Sequence, residues 1–341
     1  MQTKQLRIGI VGTGMISNIT AQAINAASNA AISSISGRNT ETLNNFADQH
    51  QIASRYDDWK KMIASPEVDA VYIGVPTSAK EEIAIQAARE GKHILVEKPF
   101  ADFESLKRIS AAARENKVAF MDATHFTHHP RTKKIQENAA AQIGTVQGVH
   151  TSFFFPFLDR TNIRYNTQLE PLGAIGDMGW YVARAIVEYM PNASEISDIR
   201  TFIQRDLQTN AIYRGSGMIE FKDNQISNWD IGYNAGVCIM DLDLLGTEGL
   251  ITMDDFVLDW SKGFAFDDEN HIAGYTLRKG MATPKEFEYV GSPTDKAQTV
   301  HMIENFAELI FHGNGQTIES VIKKAEDTQF ILDSISNSIQ G

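Results

Sequence analysis

A glycine-rich stretch near the N-terminus has the residue types and spacing to bind a pyrophosphate. The run IVGTGMIS (Ile10–Ser17) sets Gly12 and Gly14 between a buried strand and a helix, as in the motif G-x-G-x-x-G. Gly12 allows a tight turn, Gly14 lets the backbone approach phosphates, and the helix N-terminus attracts their charge. Ser17 replaces the third glycine but is still small. An ordinary strand–helix turn of another doubly wound protein is the alternative. The predicted dinucleotide contacts are Gly12, Thr13, Gly14, Met15 and Ile16.

The end of the next strand indicates which dinucleotide is preferred. A carboxylate about 20 residues after the glycines would bind the ribose 2′-hydroxyl of NAD, but the stretch ISSISGRN, residues 32–39, contains none. It offers Ser36, Gly37 and Arg38 instead. Arg38 can pair with a 2′-phosphate, and Ser36 can donate a hydrogen bond to it. These three residues are therefore predicted to bind the cofactor, and NADP is favoured over NAD, unless Arg38 is only a solvated loop cation.

A lysine follows a buried strand in the stretch HILVEKPF. Glu97, Lys98 and Pro99 stand at the carboxyl end of that strand, the edge where open α/β sheets bind ligands. The Lys98 ammonium could hold a substrate oxygen and favour the alkoxide that precedes hydride loss. A structural ion pair between Lys98 and Glu97 is the alternative. The strand ends beside the glycine loop supply further predicted cofactor contacts, which are Val75, Pro76, Thr77, Glu97 and Lys98.

Alternating strands and helices would position these residues. Strands that are apolar on both faces and separated by amphipathic helices predict a parallel, doubly wound sheet, the Rossmann arrangement. The strand candidates lie at 6–12, 30–36, 70–75, 93–98 and 118–123.

The pattern changes after residue 123. Residues 145–155 and several runs between 196 and 260 are typical of strands joined by tight turns, which predicts an open, mainly antiparallel sheet. Helical patterns follow at 296–313 and 319–339. The predicted fold class is therefore α/β, with an N-terminal Rossmann domain and a C-terminal α+β domain. We place the boundary so that the domains are 1–123 and 124–341, and the abrupt junction predicts close packing around a cleft.

Bulk composition argues against several functional classes. The 341 residues carry a net charge of −12, and the whole acidic excess lies after residue 122. This disfavours nucleic-acid binding, which depends on Lys and Arg. No apolar run is long enough to span a membrane, and the N-terminus lacks a signal-peptide pattern. Because the single cysteine, Cys238, cannot form an internal disulfide, we predict a cytoplasmic protein.

Three motifs together resemble the glucose–fructose oxidoreductase/inositol dehydrogenase (Gfo/Idh/MocA) family: IVGTGMIS, IGVPTSAKEE and GKHILVEKPF. The resemblance covers essentially the whole chain. It implies an NAD(P)-binding N-terminal domain, a C-terminal substrate-binding domain, and homodimers or homotetramers formed through the C-terminal sheet. It also implies that Lys98 is the catalytic lysine. Lys80 departs from the pattern, because many relatives have histidine there.

A second family motif lies in the stretch GAIGDMGWYVAR, residues 173–184. It resembles the Asp-x-Gly-x-His segment of inositol dehydrogenases, with Tyr181 in place of histidine as in the dihydrodiol dehydrogenase branch. On one helix, Asp177 and Tyr181 would share a face. A phenol has a pKa of about 10, so a nearby cation such as Lys98 would have to favour the phenolate. The resemblance implies that both residues are catalytic and contact substrate; a tyrosine with its hydroxyl in water is the alternative.

The stretch DATHFTHHP, residues 122–130, corresponds to a segment that lines the active site in the dihydrodiol dehydrogenase branch. His125 and His129 have a spacing that suits metal ligands on a helix, but Pro130 disfavours helix at His129, so we expect no metal. His125 replaces a tryptophan of the branch and is predicted to contact substrate. Phe154, from an aromatic run, is predicted to lie near the substrate or the nicotinamide, unless the run is ordinary sheet core.

Two classes of function are consistent with these residues. The first is an NADP-dependent oxidoreductase that moves a hydride between nicotinamide and a hydroxyl or carbonyl carbon of a sugar, polyol or cyclic diol, including an enzyme that recycles its nucleotide without release. The second is a non-enzymatic, dinucleotide-sensing regulator on the same fold. The retained Lys98, Asp177 and Tyr181 favour the enzyme, because a sensor needs no proton-transfer groups.

Overall fold

The computed structural model of the protein describes residues 5–190 and 195–339. The chain divides into two compact units. The first unit runs to His125 and also contains Ala297–Glu326, whereas the second contains Phe126–Lys296 and the residues from Asp327 onward. The division differs from the predicted domains mainly in residues 297–326, which join the first unit. No helix among the described residues is long and apolar enough to cross a membrane.

The first unit contains a six-stranded parallel sheet. The strands have the order β3-β2-β1-β4-β5-β6, which is the doubly wound arrangement predicted from the sequence. The central strands β1, β4 and β5 are almost entirely buried, because helices cover both faces. The strands are β1 (Leu6–Val11), β2 (Ala30–Ser36), β3 (Ser54–Tyr56), β4 (Ala70–Ile73), β5 (His93–Val96) and β6 (Phe120–Asp122). The helices are α1 (Met15–Ala26), α2 (Thr40–Gln49), α3 (Trp59–Ile63), α4 (Lys80–Arg89) and α5 (Phe103–Glu115).

Two strands of this sheet end earlier than the sequence pattern indicates. β4 ends at Ile73 rather than at 75, and β5 ends at Val96 rather than at 98. Residues 74–77 and 97–99 therefore leave the sheet as connecting segments at its carboxyl edge. This places the predicted cofactor contacts in loops, where backbone groups not used by the sheet can meet a ligand.

The second unit contains an eight-stranded sheet with the order β14-β13-β12-β11-β7-β10-β9-β8. Neighbouring strands are antiparallel except for β7 and β10, which confirms the predicted mainly antiparallel sheet. The helices are α6 (Pro130–Ile143), α7 (Gly173–Asp177) and α8 (Gly179–Tyr189). The strands are β7 (Val146–Phe154), β8 (Ile196–Arg205), β9 (Ile212–Phe221), β10 (Ile226–Gly232), β11 (Ile239–Gly246), β12 (Leu250–Met253), β13 (Gly274–Arg278) and β14 (Glu288–Gly291).

The segment that carries Asp177 and Tyr181 is not one helix, and this prediction was wrong. Asp177 is the last residue of α7, and α8 begins at Gly179 after a break at Met178. Gly176 and Gly179 flank the break, and each glycine lowers helix stability by about 1 kcal/mol relative to alanine. The helix is therefore interrupted between Asp177 and Tyr181, although the Met178 backbone keeps right-handed helical dihedral angles (φ −92°, ψ −36°).

The last two helices are α9 (Gln298–His312) and α10 (Gly315–Asn337). The apolar side of α9 joins the core of the first unit, where Ile303 and Phe306 are fully buried with Leu6 and Ile24. The apolar periodicity of this segment predicted a helix correctly, but it did not indicate which sheet the helix would cover.

Candidate active site

Gly12 has a conformation and a space that suit only glycine. Its φ of +112° is one that L side chains rarely adopt, and a Cβ there would overlap the carbonyl oxygen of Gly74, just after β4. Ser17 in α1 is buried, and its hydroxyl donates to the same carbonyl at 3.4 Å. A small residue at the third motif position is therefore sufficient for close packing of α1 beside β4.

Gly14 is not restricted by the protein's own packing. A Cβ on Gly14 would meet no heavy atom of the described residues within 4 Å. Gly14 is the N-cap of α1, and the first turn of this twelve-residue helix carries no acidic residue. The helix therefore begins with the space and the partial positive charge that a pyrophosphate requires.

The loop after β2 lies directly against the glycine loop. A Cβ on Gly37 would come within 2.8 Å of the Thr13 methyl group, so a larger residue would push the two loops apart. Arg38 is exposed, whereas Ser36, the last residue of β2, is only 3% exposed. Of the two predicted phosphate contacts, Arg38 is the accessible one, and Ser36 is better placed to support the loop from beneath.

Lys98 follows β5 and is half-buried. The neighbouring Glu97 carboxylate is buried and accepts a hydrogen bond from the Tyr72 hydroxyl at 2.9 Å. Burial raises the pKa of Glu97, and the positive charges of Lys98 and Lys80 oppose that rise. Glu97 is thus a buried charge next to Lys98, and its direct contact with the cofactor stays a prediction.

The segment between β4 and α4 contains the other predicted cofactor contacts. Val75 and Pro76 are half-buried, and Thr77 is buried at the start of a short 3₁₀ turn, Thr77–Ala79. The Thr77 hydroxyl accepts a hydrogen bond from the Lys80 ammonium at 3.3 Å. The Thr77 side chain therefore faces inward, and the backbone of Val75 and Pro76 is the part left at the edge of the sheet.

Tyr181 lies in the second unit and is 6% exposed, less than the sequence indicates. Its ring packs against Phe153 at 5.4 Å, edge to face, and against Phe126 at 6.1 Å. Successive residues of a strand face opposite sides of a sheet, and the Phe154 ring lies below the guanidinium of Arg214 instead. Phe153, not the predicted Phe154, is therefore the aromatic residue that shares a face with Tyr181.

Asp177 is paired with a residue that the sequence did not single out. Arg164, in the 3₁₀ turn Ile163–Tyr165, donates from its Nε to the Asp177 carboxylate at 2.5 Å. The Tyr233 hydroxyl lies 3.4 Å from the same oxygen. Burial is the largest single influence and lowers the pKa of Arg164, but the charge and hydrogen bond of Asp177, together with the nearby Tyr233 and Glu170, raise that pKa overall. Two residues from other segments, Arg164 and Tyr233, therefore orient the Asp177 carboxylate.

The histidines after β6 are separated by a change of structure. His125 lies in the 3₁₀ turn His125–His128, where its Nδ1 is 2.6 Å from the Gln298 amide nitrogen. His129 is instead the N-cap of α6, and its Nδ1 accepts a hydrogen bond from the Arg131 backbone N–H. The two residues do not share a helix. In the described ranges, no group of three or more His, Cys, Asp and Glu residues could hold a metal ion.

The geometry of the first unit agrees with a sequence family. Residues 6–124 match the family described as "Oxidoreductase family, NAD-binding Rossmann fold" (GFO_IDH_MocA). The match covers the segment that forms the parallel sheet of the first unit. For residues 6–124 it supports the family predicted from the three motifs.

Two curated proteins illustrate the range of the family. The chain is 31% identical over 149 residues to scyllo-inositol 2-dehydrogenase (NADP(+)) IolU of Bacillus subtilis (strain 168), covering 43% of this chain and 45% of that protein. It is 28% identical over 152 residues to trans-1,2-dihydrobenzene-1,2-diol dehydrogenase of Xenopus laevis, covering 43% and 46%. The chain therefore spans about half the length of these curated relatives.

A solved structure matches over almost the full length. KijD10, a 3-ketoreductase from Actinomadura kijaniata in complex with NADP and TDP-benzene, superposes with a TM-score of 0.87 and 19% identity. The match covers 99% of this chain and 98% of KijD10. At this identity the likeness shows the fold, and it confirms the predicted fold class.

Several residues near the family motifs escaped the sequence analysis. Tyr72 could have been recognised, because a tyrosine in an otherwise aliphatic buried strand needs a partner for its hydroxyl. Lys80 stood out only as a departure from the family pattern. Arg164 and Tyr233 gave no local signal, because their roles depend on segments that meet only in the folded chain. Phe153 lies in the aromatic run, but the run does not show which ring faces Tyr181.

Proposed function

We propose that the protein is an NADP-dependent oxidoreductase. It transfers a hydride between nicotinamide and a hydroxyl or carbonyl carbon of a small polyhydroxylated molecule. One observation carries the proposal: the glycine loop and Lys98 lie at the carboxyl ends of β1 and β5, with only β4 between them. Adjacent strands are about 4.8 Å apart, so the two strand ends are separated by roughly 10 Å at one edge of the sheet. A nucleotide bound along that edge could present its ring near an ammonium.

The first unit supports NADP binding in three ways. The space at Gly14 and the start of α1 suit the pyrophosphate, Arg38 is accessible to a 2′-phosphate, and residues 37–40 directly after β2 include no carboxylate to repel one. The names of the Bacillus relative and of the KijD10 complex, which both include NADP, agree with this choice. Binding of NAD is the weaker alternative.

Each proposed catalytic residue has a distinct task. The nicotinamide, when bound, supplies or accepts the hydride. Lys98 hydrogen-bonds the substrate oxygen and stabilises the charge that develops on it as the hydride leaves. Tyr181 exchanges the hydroxyl proton, and its apolar surroundings of Phe153 and Phe126 make a nearby cation necessary for phenolate formation. Asp177, held by Arg164, accepts a hydrogen bond from a neighbouring substrate hydroxyl.

We propose a sugar, polyol or cyclic diol as substrate. The curated relatives, named for scyllo-inositol and for a dihydrodiol, support this class. Both are named as dehydrogenases, which favours an enzyme over a dinucleotide-sensing regulator. His125 contacts Gln298 and is 4% exposed, so substrate contact from His125 is a weaker part of the proposal than contact from Asp177.

A screen of aldoses, inositols and cyclic diols with NADP tests the function directly, read by the absorbance of reduced nicotinamide. On the substrate found, Lys98→Met is expected to lower kcat by about 10²–10³-fold, because a preorganised donor to the developing charge is lost. Tyr181→Phe should lower kcat with a smaller change in KM. Full turnover in both variants would refute the assignment, and tight NADPH binding without turnover of any compound would favour the regulator.

Assembly through the C-terminal sheet is also proposed, as a homodimer or homotetramer of a cytoplasmic protein. The face of the sheet that carries Phe154 also carries Phe202 and Met218, which are 74% and 40% exposed. Exposed apolar side chains on an open sheet face suit an interface between copies. Sedimentation of the wild type and of Phe202→Glu would test this, since the charge should shift the protein toward monomer.

A further inference from the structure

Lys80 has the environment of a structural cation, directly beneath the proposed catalytic lysine. It is the first residue of α4 and only 3% exposed, although lysine is rarely buried unless it is paired. Its ammonium donates to the backbone carbonyls of Pro99 at 2.7 Å and Lys98 at 3.0 Å, and to the Thr77 hydroxyl at 3.3 Å. These three bonds match the three hydrogens of the group.

A buried carboxylate supplies the opposite charge. Glu97 interacts with the charges of both Lys80 and Lys98, and its carboxylate is bonded to the Tyr72 hydroxyl. One hydrogen bond and these charges therefore link Tyr72 in β4 to the segment that carries Lys98.

Burial of the Lys80 ammonium is energetically unfavourable in itself. Moving an ammonium out of water is unfavourable even after the protein relaxes around it, and an apolar side chain of similar length would avoid that penalty. Its hydrogen bonds, however, hold two successive backbone carbonyls, those of Lys98 and Pro99, in fixed positions. Since the Lys98 side chain starts from one of those two residues, its direction depends on how firmly this backbone is held.

We propose that Lys80 is a positioning residue that holds the Lys98 backbone, and through it the Lys98 ammonium, in the geometry required for hydride transfer. The proposal rests on the function proposed above. Lys80 does not touch the substrate; it acts through Lys98. A misplacement of about 1 Å at a catalytic group can lower a rate by about 10²-fold, so loss of the clamp should have a large effect on kcat.

The first unit offers a matched control. The Lys92 ammonium also donates to two backbone carbonyls, of Ser65 at 2.9 Å and Val68 at 2.8 Å. It lies just before β5, at the opposite edge of the same sheet. Lys92→Met removes a comparable clamp far from Lys98, so it separates a loss of stability from a loss of positioning.

The expected result is a difference between the two variants. Lys80→Met should lower kcat at least tenfold, with KM and the Kd for NADPH changed by less than about threefold, whereas Lys92→Met should keep the wild-type kcat. If Lys80→Met does not fold, Lys80→Gln replaces it, because the amide keeps two donor hydrogens. An unchanged kcat in the Lys80 variant, or an equal loss in the Lys92 variant, would overturn the proposal.

Hydrogen–deuterium exchange gives a readout that does not need turnover. Faster amide exchange in residues 97–101 of the Lys80 variant, with residues 65–69 unchanged, is expected; the Lys92 variant should show the reverse. Unchanged exchange at 97–101 would show that Lys80 does not hold this segment and would overturn the proposal. If the wild type turns over no substrate while the exchange pattern appears as expected, the proposed function fails but the clamp itself is established.

Discussion

At Gly12 the backbone geometry determines which residue is allowed. At Asp177 the surroundings of the side chain are instead set by side chains from distant segments of the chain. A Cβ at Gly12 would overlap a neighbouring carbonyl, so the requirement for glycine can be read from the motif alone. Asp177 instead depends on Arg164 and Tyr233, which lie 13 and 56 residues away in the chain. A site formed by backbone leaves a short, local signature, and a site formed by side chains need not.

Substitution of Gly12 and of Gly14 should give the largest difference in the free energy of unfolding. Gly12→Ala is expected to lower the free energy of unfolding by about 3 kcal/mol or more, because of its φ and the overlap with Gly74. Gly14→Ala should stay within about 1 kcal/mol of the wild type, because its Cβ would meet no protein atom. Urea denaturation measures both values, and NADPH titration should show weaker binding by Gly14→Ala. Equal destabilisation by the two variants would contradict the steric origin of the motif.

Loss of the ion pair between Arg164 and Asp177 should have the next largest effect on the free energy of unfolding. Arg164→Gln is expected to cost about 2 kcal/mol, because it leaves a mostly buried carboxylate without its cation. In a double-mutant cycle with Asp177→Asn, the coupling energy should exceed about 1 kcal/mol.

An exposed pair in the same unit provides the control for that cycle. Arg200 and Asp198 lie 3.4 Å apart with side chains 71% and 55% exposed, so their coupling should stay below about 0.5 kcal/mol. Similar coupling in the two cycles would show that burial of Asp177 adds nothing to its pairing.

Two neighbouring phenylalanines can separate packing from catalysis. Phe153→Leu and Phe154→Leu should each cost about 1 kcal/mol of stability, because both rings are mostly buried. Only Phe153→Leu should lower kcat, by about threefold to tenfold, because only Phe153 packs against Tyr181. A larger loss of kcat in Phe154→Leu would restore the role first predicted for that residue.

The last expected effect, at Arg38, is confined to the choice of nucleotide. Arg38→Ala should reduce the preference for NADPH over NADH by about tenfold, or about 1.4 kcal/mol, because an exposed cation is partly screened by water. Fluorescence titration of both nucleotides measures this. Arg89→Ala, which removes another exposed arginine of the first unit, should leave the preference unchanged. Tighter binding of NADH than NADPH by the wild type would remove the assignment.

The sequence was most informative where periodicity and sterics act over a few residues. It predicted the parallel and antiparallel sheets, the glycine loop and the position of Lys98 after β5. It could not locate the break at Met178, since a one-residue interruption barely disturbs a helical pattern. It could not choose between Phe153 and Phe154 either, because three consecutive phenylalanines do not reveal which side of the strand faces the helices. The partners of Asp177 and Lys80 depend on tertiary packing, which no local pattern contains.

The return of residues 297–326 to the first unit has a consequence for biosynthesis. On one side of this unit, α9 covers Leu6 and Ile24. That side stays exposed to solvent until Ile303 and Phe306 have been translated. A ribosome must therefore translate beyond Phe306 before the core of the first unit can be completed. Until then the nascent chain exposes a hydrophobic surface of the kind that chaperones bind.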